Sequence, residues 1–216
     1  MDSDISKKLP LIIGHRGCKH SGIKENSCRA VERSIKERAD IVEIDVVCNK
    51  KGCFIGHHPK LFSLKNNAES FELLLKTLDS RAMLYVDIKE RLSKGKIDAL
   101  LKLIKKYYKG QAVAGSFYSK VLKCIREKEP AWIINYHCLP TRRCIKKALE
   151  AGANWINPVP LGVTSGFVNE AMKNGLKFVP AGNENYKKQL RYAKLGAHAL
   201  SVFRPALFRE WLANNL

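Results

Sequence analysis

Two short segments near the start of the chain hold the residue types that hydrolysis of a charged ester requires. The first, Gly14–Gly17, contains His15 and Arg16, and the second contains Glu43 and Asp45. Successive side chains of a strand point to opposite faces, so the two carboxylates would share one face and could hold one divalent cation through oxygen ligands. A histidine, an arginine and a bound cation together indicate a site for a phosphoester.

Length and composition predict a single folded domain. Its 216 residues are 45% apolar, enough for a well-buried core, and we interpret residues 1–216 as a single domain. The chain contains no apolar run of about 18 residues, so we expect no membrane span. The opening segment 1–8 is too polar for a secretion signal, and we therefore expect a cytoplasmic protein.

The cysteines suit a reducing compartment. The chain has seven, an odd number, and none of them forms a Cys-x-x-Cys pair. We therefore expect free thiols, and the spacing gives no indication of a zinc site.

The charge of the chain is strongly positive, with a formal value of +19. Clustered positive potential attracts phosphate-bearing ligands, nucleic acid or anionic membrane surfaces. Much of the excess is lysine and arginine at helical spacing, which is typical of a solvated outer face. The sequence contains no nucleic-acid-binding motif with interleaved aromatics, so we expect no specific nucleic-acid partner, whereas weak association with an anionic membrane fits the charge. No feature of the sequence indicates the oligomeric state.

One pattern recurs about eight times along the chain: a short aliphatic run, a polar turn, and then apolar residues at helical spacing. The predicted strands are Leu11–Gly17, Ile41–Cys48, Met83–Lys89, Ala112–Phe117, Trp132–His137, Trp155–Pro158, Lys177–Ala181 and His198–Val202, with a short extra strand at Phe54–Gly56 beside the second. The predicted helices are Ser27–Arg38, Phe71–Leu78, Ile97–Tyr107, Lys120–Glu127, Arg142–Glu150, Gly166–Asn174, Lys187–Lys194 and Leu207–Asn214.

Eight strand-helix units predict an α/β fold, a closed (β/α)₈ TIM barrel with the extra hairpin strand after the second barrel strand. Active sites of such barrels lie at the carboxyl ends of the strands. The candidate residues meet this condition, because His15, Arg16, Glu43, Asp45, Asp87 and Lys89 all map to the ends or second halves of the first three barrel strands. An open doubly wound sheet is the alternative, but no Gly-x-Gly-x-x-Gly turn follows the first strand.

Five motifs in order resemble those of the glycerophosphodiester phosphodiesterase family, within the phospholipase C-like phosphodiesterase barrels. They are Ile13–Gly17, Glu25–Ser27, Ala39–Val46, His57–Leu61 and Tyr85–Lys89. A weaker similarity continues through Gly115–Phe117 and Gly196–His198 to Arg204 and Pro205, so that the resemblance covers nearly the whole barrel.

This resemblance implies a metal-dependent phosphodiesterase of lipid and glycerol metabolism, which releases an alcohol and glycerol 3-phosphate from glycerophosphodiesters. His15 and His57 would be the general acid and base, since histidine can donate or accept a proton near neutral pH. Arg16 and Lys89 would bind the phosphate of a small or lipid-derived phosphodiester. The metal ligands would be Glu43, Asp45 and Asp87, holding one Mg²⁺ or Ca²⁺, with Mn²⁺ a further option.

Several positions depart from the family pattern. Asp87 stands where the family usually has glutamate. His57-His58 replaces its usual His-Asp pair, so His58 is a rival for the second catalytic position; Pro59 and Leu61 favour His57.

A tryptophan common in the family near the seventh strand is missing from Pro180–Asn183. The family's inserted subdomain is reduced to Phe62–Ser70, which suggests an open mouth and bulkier substrates such as lysolipids. We interpret His20, His137 and His198 as structural or surface groups.

Two other functions fit parts of the pattern. A related phosphodiesterase would release a cyclic phosphate through attack by a neighbouring hydroxyl group. A catalytically inactive barrel with a basic phosphate pocket would bind RNA or anionic lipid instead. In this inactive barrel, no function would be evident for four of the motif residues: His15, Glu43, Asp45 and Lys89.

Overall fold

The computed structural model describes residues 9–18, 22–59 and 68–216. In these ranges the strands are β1 (Leu11–Gly14), β2 (Ile41–Cys48), β3 (Phe54–Gly56), β4 (Met83–Ile88), β5 (Ala112–Ser116), β6 (Ile133–Cys138), β7 (Trp155–Pro158), β8 (Lys177–Phe178) and β9 (Ala199–Val202). The helices are α1 (Cys28–Lys36), α2 (Phe71–Leu78), α3 (Lys94–Tyr107), α4 (Ser119–Lys128), α5 (Arg142–Glu150), α6 (Ser165–Lys173), α7 (Tyr186–Lys194) and α8 (Pro205–Ala213).

The strands form a nearly closed parallel barrel in the order β8-β7-β6-β5-β4-β2-β1-β9, and β3 pairs antiparallel with β2 outside this path. The predicted TIM barrel and its extra hairpin strand are therefore confirmed, and the open-sheet alternative is wrong. Each predicted strand and helix is present, with ends that coincide with the prediction or differ by at most three residues. The predicted short connection Phe62–Ser70 lies largely outside the described residues.

The barrel interior changes from apolar to polar along the strands. Its inner core consists of seven buried residues that pack against one another: Ile13, Ile41, Tyr85, Val113, Trp155, Val179 and Ala199. A larger cluster fills the space between the strands and the surrounding helices. Because side chains alternate along a strand, the inward positions two residues further on point into the carboxyl end of the barrel. Those positions include Glu43 and Asp87, both buried.

Side-chain caps fix where most of the helices begin. The capping residue accepts a hydrogen bond from the backbone N–H three residues later in six helices: Ser27, Ser70, Ser93, Thr141, Thr164 and Asn185. Such caps hold each helix start next to the strand end before it, which positions the connecting loops. No helix in the described ranges is long and apolar enough to cross a membrane.

The barrel wall has a seam between β8 and β9, where the strands are not paired as a ladder. The backbone N–H of His198 donates to Phe178 O (2.8 Å), and that of Asn183 donates to Ser201 O (3.2 Å). The buried Gln189 of α7 adds a side-chain bridge, since its Nε2 donates to Asn183 O and to Ser201 O, both at 2.9 Å. A side chain thus replaces ladder hydrogen bonds across the seam.

Removing this bridge is expected to lower the free energy of unfolding. Gln189→Leu keeps the approximate volume and deletes both donated hydrogen bonds, which costs about 1–3 kcal/mol when buried acceptors lose their donor. We expect the thermal midpoint to fall by at least about 2 °C in a chain of this size. Scanning calorimetry measures the effect, with Gln111→Leu at an exposed position as the control. Equal midpoints for the two variants would contradict a stabilising role for the bridge.

One cysteine pair corrects the expectation of free thiols. Cys138 at the end of β6 and Cys144 in α5 form a disulfide, with their Cα atoms 6.0 Å apart. The turn at Leu139–Thr141 folds back so that the start of α5 lies beside the end of β6, a proximity that the six-residue separation does not reveal. The described cysteines outside this pair keep their thiol groups.

Candidate active site

Three buried carboxylates meet at the carboxyl end of the barrel. Glu43 and Asp45 lie on β2, and Asp87 lies on β4, where the parallel register places it beside Asp45. One oxygen of each residue lies within 4.8 Å of the others. The structure therefore brings together the three residues that the sequence suggested as metal ligands.

Two basic side chains are bound to this cluster. Lys89 Nζ lies 2.8 Å from Asp45 Oδ1 and also donates to Asp87 Oδ2. Arg16 lies with Nε 3.2 Å from Asp45 Oδ2 and Nη1 3.1 Å from Glu25 Oε2. The lysine and the arginine thus approach Asp45 through different oxygens, and neither base pairs with Glu43 through its side chain in the described contacts.

A tight turn holds Arg16 in place. Its backbone N–H donates to Glu43 Oε2 (2.6 Å), and its carbonyl oxygen accepts from the N–H of Asn26 (2.9 Å). Arg16 adopts a left-handed conformation with φ 53°, which is uncommon for residues other than glycine. Gly14 begins this turn, and a Cβ there would lie 2.1 Å from Ser34 Oγ, so only glycine fits.

The basic side chains at the site compensate the charge of Asp45 more fully than that of Glu43. Burial would raise the pKa of Asp45, but Lys89 and Arg16 outweigh it and lower that pKa to about 2. Burial, followed by the nearby Asp45 and Asp87, raises the pKa of Glu43 well above its usual range. Burial opposes the charge of Lys89, but Asp87 and Asp45 raise its pKa above the ordinary value. The cluster therefore favours an added positive charge beside Glu43.

The unpartnered atoms also fit a cation. Glu43 Oε1 and Asp87 Oδ1 are buried and have no hydrogen-bond partner within the described part of the chain. Buried carboxylate oxygens without donors are costly, and a hard divalent cation with oxygen ligands removes that cost. The Glu43, Asp45 and Asp87 cluster thus could hold a metal ion such as Mg²⁺ or Ca²⁺.

His15 lies beside the carboxylates in a confined position. Its Nε2 is 4.0 Å from Glu43 Oε2, and its ring stacks on Phe203 with centroids 4.8 Å apart. On another side, a Cβ added to Gly182 would lie 2.5 Å from His15 Nδ1. Burial and the nearby Arg16 lower the pKa of His15 to about 3, so the ring is neutral near pH 7.

The close approach of Gly182 yields a specific prediction. For the phosphodiesterase activity that the sequence predicts, Gly182→Ala should displace the His15 ring and lower kcat by about 10²-fold, the cost of misplacing a reacting group by about 1 Å. Steady-state kinetics measures this loss, and a thermal melt checks the fold. Gly95→Ala is the matched control, because no atom lies within 4 Å of a Cβ at this exposed position. Unchanged kcat in Gly182→Ala would show that His15 does not need its present position.

The two consecutive histidines after β3 are placed differently. His58 lines a cavity of about 190 Å³ together with His15, Glu43, Asp87 and Lys89. Burial lowers the pKa of His58 below its ordinary value. His57 is not among the described residues that line this cavity; its backbone N–H donates to Asp45 O (3.0 Å) and continues the hairpin pairing.

Solved structures share this architecture. No protein-family model matches the sequence, and no curated protein matches it significantly. A phosphodiesterase from Oleispira antarctica, solved with the product sn-glycerol-3-phosphate, is similar with a TM-score of 0.84 and 15% identity over 96% of this chain and 98% of that one. A candidate glycerophosphodiester phosphodiesterase from Galdieria sulphuraria has a TM-score of 0.81 and 20% identity over 96% and 100%. The chain therefore shares the overall fold of these solved structures.

A third structure supports the same conclusion about this fold. A glycerophosphodiester phosphodiesterase from Parabacteroides distasonis has a TM-score of 0.78 and 16% identity, over 95% of this chain and 98% of its own. The resemblance seen in the ordered motifs is therefore confirmed at the level of structure, across nearly the whole chain.

The barrel also places residues at the site that the motifs did not indicate. His137 on β6 is buried, not a surface group; it lines the cavity, with Nδ1 3.7 Å from Asp87 Oδ1. Its Nε2 forms a 2.6 Å hydrogen bond with the hydroxyl group of Tyr85, which also accepts from Asn135 Nδ2 (2.8 Å). His198, in contrast, lies at the opposite end of the barrel against Trp155, in agreement with a structural role.

The alternation of side chains on β6 is the signal that could have identified His137. Asn135 and His137 are two residues apart in an otherwise apolar strand, as Glu43 and Asp45 are on β2. Polar residues at alternate positions of a buried strand indicate the polar end of a barrel interior.

Proposed function

We propose that this protein is a metal-dependent phosphodiesterase that hydrolyses glycerophosphodiesters to an alcohol and glycerol 3-phosphate. The observation that carries the proposal is one cavity at the carboxyl end of the barrel, lined by His15, Arg16, Glu43, His58, Asp87 and Lys89. The shared fold with glycerophosphodiester phosphodiesterases supports the same reaction class.

Glu43, Asp45 and Asp87 would hold the divalent cation, either Mg²⁺ or Ca²⁺, with Mn²⁺ as a further candidate. A cation bound there supplies Lewis-acid stabilisation of the negative charge on the phosphate oxygens. Asp87 is one methylene shorter than the glutamate usual in the family, and the partly unsatisfied Asp87 carboxylate still points to a ligand role.

The remaining residues would bind the phosphate and move protons. Arg16 and Lys89 are positively charged and line the cavity, so they can bind the non-bridging oxygens. His15 and His58 are the proposed proton-transfer pair: one accepts the proton of the attacking water, and the other donates a proton to the leaving alkoxide. The sequence motif favoured His57 with His58 as its rival; we propose His58 because it lines the cavity, and His57 is then the alternative. A bound phosphate anion raises the pKa of a nearby histidine, which favours the protonated form that the acid requires.

The cavity volume bears on the substrate. About 190 Å³ is below the roughly 300 Å³ at which sites for drug-sized ligands begin, so the phosphate and one small substituent fill it. The Oleispira antarctica phosphodiesterase was solved with sn-glycerol 3-phosphate, which is a phosphate that carries one small substituent. A bulky alcohol, such as that of a lysolipid, would extend from the mouth, and we propose that such substrates are accepted.

The test is hydrolysis of glycerophosphocholine and lysophosphatidylcholine with Mg²⁺, Ca²⁺, Mn²⁺ or chelator. We expect metal-dependent release of the alcohol, lost by at least about 10²-fold in His15→Ala because a proton-transfer group is removed. His198→Ala at the other end of the barrel is the control and should retain the activity. Turnover that is unchanged by chelator or by His15→Ala would contradict the proposal. Phosphorus NMR of the products separates glycerol 3-phosphate from a cyclic phosphate.

A further inference from the structure

The carboxyl-end face of the barrel carries an unusual set of charges outside the cavity. In a (β/α)₈ barrel this face also carries the amino ends of the helices, where the helix dipole favours acidic side chains. In the described part of the chain only α2 has an acidic residue in its first turn, Glu72. Basic residues occupy the first turns of five other helices: Arg29, Lys94, Lys96, Lys120, Arg142, Arg143, Lys187 and Lys188.

The acidic residues near this face are bound within the protein. Glu69 accepts from the N–H of Cys28, Glu90 from that of Cys48, and Glu184 from that of Phe203. Glu25 pairs with Arg16. The basic residues Arg142 and Arg143, in contrast, are exposed and take part in none of the ion pairs found among the described residues. Their placement is unfavourable for helix stability, and an anionic partner would offset it.

Three large apolar side chains project from the same face. Phe117, Leu139 and Leu161, here called the apolar rim, are 50%, 63% and 80% exposed. They follow β5, β6 and β7, which are neighbours in the barrel, so the apolar rim borders one side of the cavity mouth. Phe117 itself lines the cavity. The loop segments 117–120, 139–143 and 159–166 contain Lys120, Arg142 and Arg143 and no acidic residue.

We propose that the apolar rim and the adjoining basic first turns dock this face onto an anionic lipid bilayer. A bilayer surface accepts both features at once: its anionic headgroups attract lysine and arginine, and its interfacial region buries exposed leucine. Single-stranded RNA would need aromatic side chains as stacking platforms, and two of the three rim residues are leucine. Docking would bring the cavity mouth to the lipid surface.

The experiment is co-sedimentation of the full chain with vesicles, either of phosphatidylcholine alone or of an equimolar mixture with phosphatidylglycerol. We expect binding to the mixed vesicles only. Arg142→Ser/Arg143→Ser should weaken it about 25-fold, since each basic residue near an anionic surface contributes about five-fold. Leu139→Ser/Leu161→Ser should weaken it about ten-fold or more, because apolar burial is lost.

Matched controls lie at the opposite ends of the same helices. Leu149→Ser/Met172→Ser removes two exposed apolar side chains of α5 and α6, and Lys147→Ser/Lys173→Ser removes two basic ones. Both control variants should bind mixed vesicles as the parent does. A second measurement adds a fluorescent side chain instead of removing one that contacts the bilayer. Brominated lipids should quench the added tryptophan fluorescence of Leu161→Trp and not that of Leu149→Trp.

Three results would overturn the proposal: equal binding to both vesicle types, equal losses in the rim and control variants, or no vesicle binding. Binding of poly(U) in place of vesicles, lost in Arg142→Ser/Arg143→Ser, would assign the face to nucleic acid. Soluble glycerophosphocholine hydrolysis should be unchanged in all of these variants. Failure of docking is thus separable from failure of the proposed catalytic function, which the chelator and His15→Ala test.

Discussion

Glu43→Gln is expected to lower metal-dependent hydrolysis by about 10³-fold or more while the protein stays folded. The cation that Glu43 would help to hold provides several kcal/mol of charge stabilisation in the transition state, and each 1.36 kcal/mol corresponds to ten-fold in rate. Glutamine retains an oxygen that can accept the N–H of Arg16, now bonded to Glu43 Oε2 at 2.6 Å. The substitution therefore removes charge without removing the turn contact. Steady-state kinetics across a metal titration measures the effect.

The same variant should be more stable than the parent when metal is absent. Burial, together with Asp45 and Asp87, raises the pKa of Glu43 in the folded chain. A carboxyl group with a raised folded pKa costs stability as pH rises above its unfolded value of about 4.3, because only the unfolded chain releases the proton freely. We therefore expect metal-free parent protein to lose stability with rising pH relative to Glu43→Gln.

Calorimetry distinguishes a metal ligand from a structural carboxylate. Near pH 7 and with chelator, the thermal midpoint of Glu43→Gln should exceed that of the parent by at least about 2 °C, or about 1 kcal/mol in a chain of this size. Added Mg²⁺ or Ca²⁺ should raise the midpoint of the parent and leave the variant nearly unchanged. A variant that is less stable than the parent under both conditions would show that Glu43 has a structural role instead.

His58→Gln is expected to reduce turnover about 10²–10⁴-fold, the range for removal of a general acid or base, whereas His57→Gln should retain most activity. The reason is placement: His58 lines the cavity, and the His57 backbone continues the hairpin pairing with Asp45. The sequence motif alone favoured His57. Glutamine keeps a polar side chain of similar size at each position, so the two variants are controls for each other.

A substrate with a good leaving group distinguishes the histidine that acts as general acid from the one that acts as general base. An aryl phosphodiester such as bis(4-nitrophenyl) phosphate needs little protonation of its leaving oxygen. The variant that lacks the general acid should therefore recover activity on this substrate, while the variant that lacks the base should not. A large loss in His57→Gln together with a small loss in His58→Gln would reverse our assignment.

The barrel could be predicted from the sequence because its signal is local and repeated. Each strand-helix unit has its own apolar pattern, and helices such as Phe71–Leu78 and Arg142–Glu150 were predicted with their observed bounds. The carboxylate cluster was also predictable, since Glu43 and Asp45 share a strand face and Asp87 lies near the carboxyl end of the next parallel strand in the barrel.

Contacts between distant segments were not predictable in the same way. His137 approaches Asp87 only because β6 follows β5 and β4 around the barrel, and the Tyr85 hydroxyl group that binds it lies on another strand. The Cys138–Cys144 disulfide depends on how sharply the loop before α5 folds back. Spacing along the chain does not fix such distances, because they follow from the closure of the barrel and the path of its loops.

The seam between β8 and β9 predicts that heating abolishes catalytic activity before it unfolds the helices. Gly182, which abuts the His15 ring, and Asn183, which Gln189 binds, are neighbours on the β8 side of that seam. A slight parting of the wall would therefore release His15 while every helix stays intact. During storage or heating we expect catalytic competence to decay ahead of the helical circular dichroism signal. An assay of turnover, not of secondary structure, would then report the useful lifetime of a preparation.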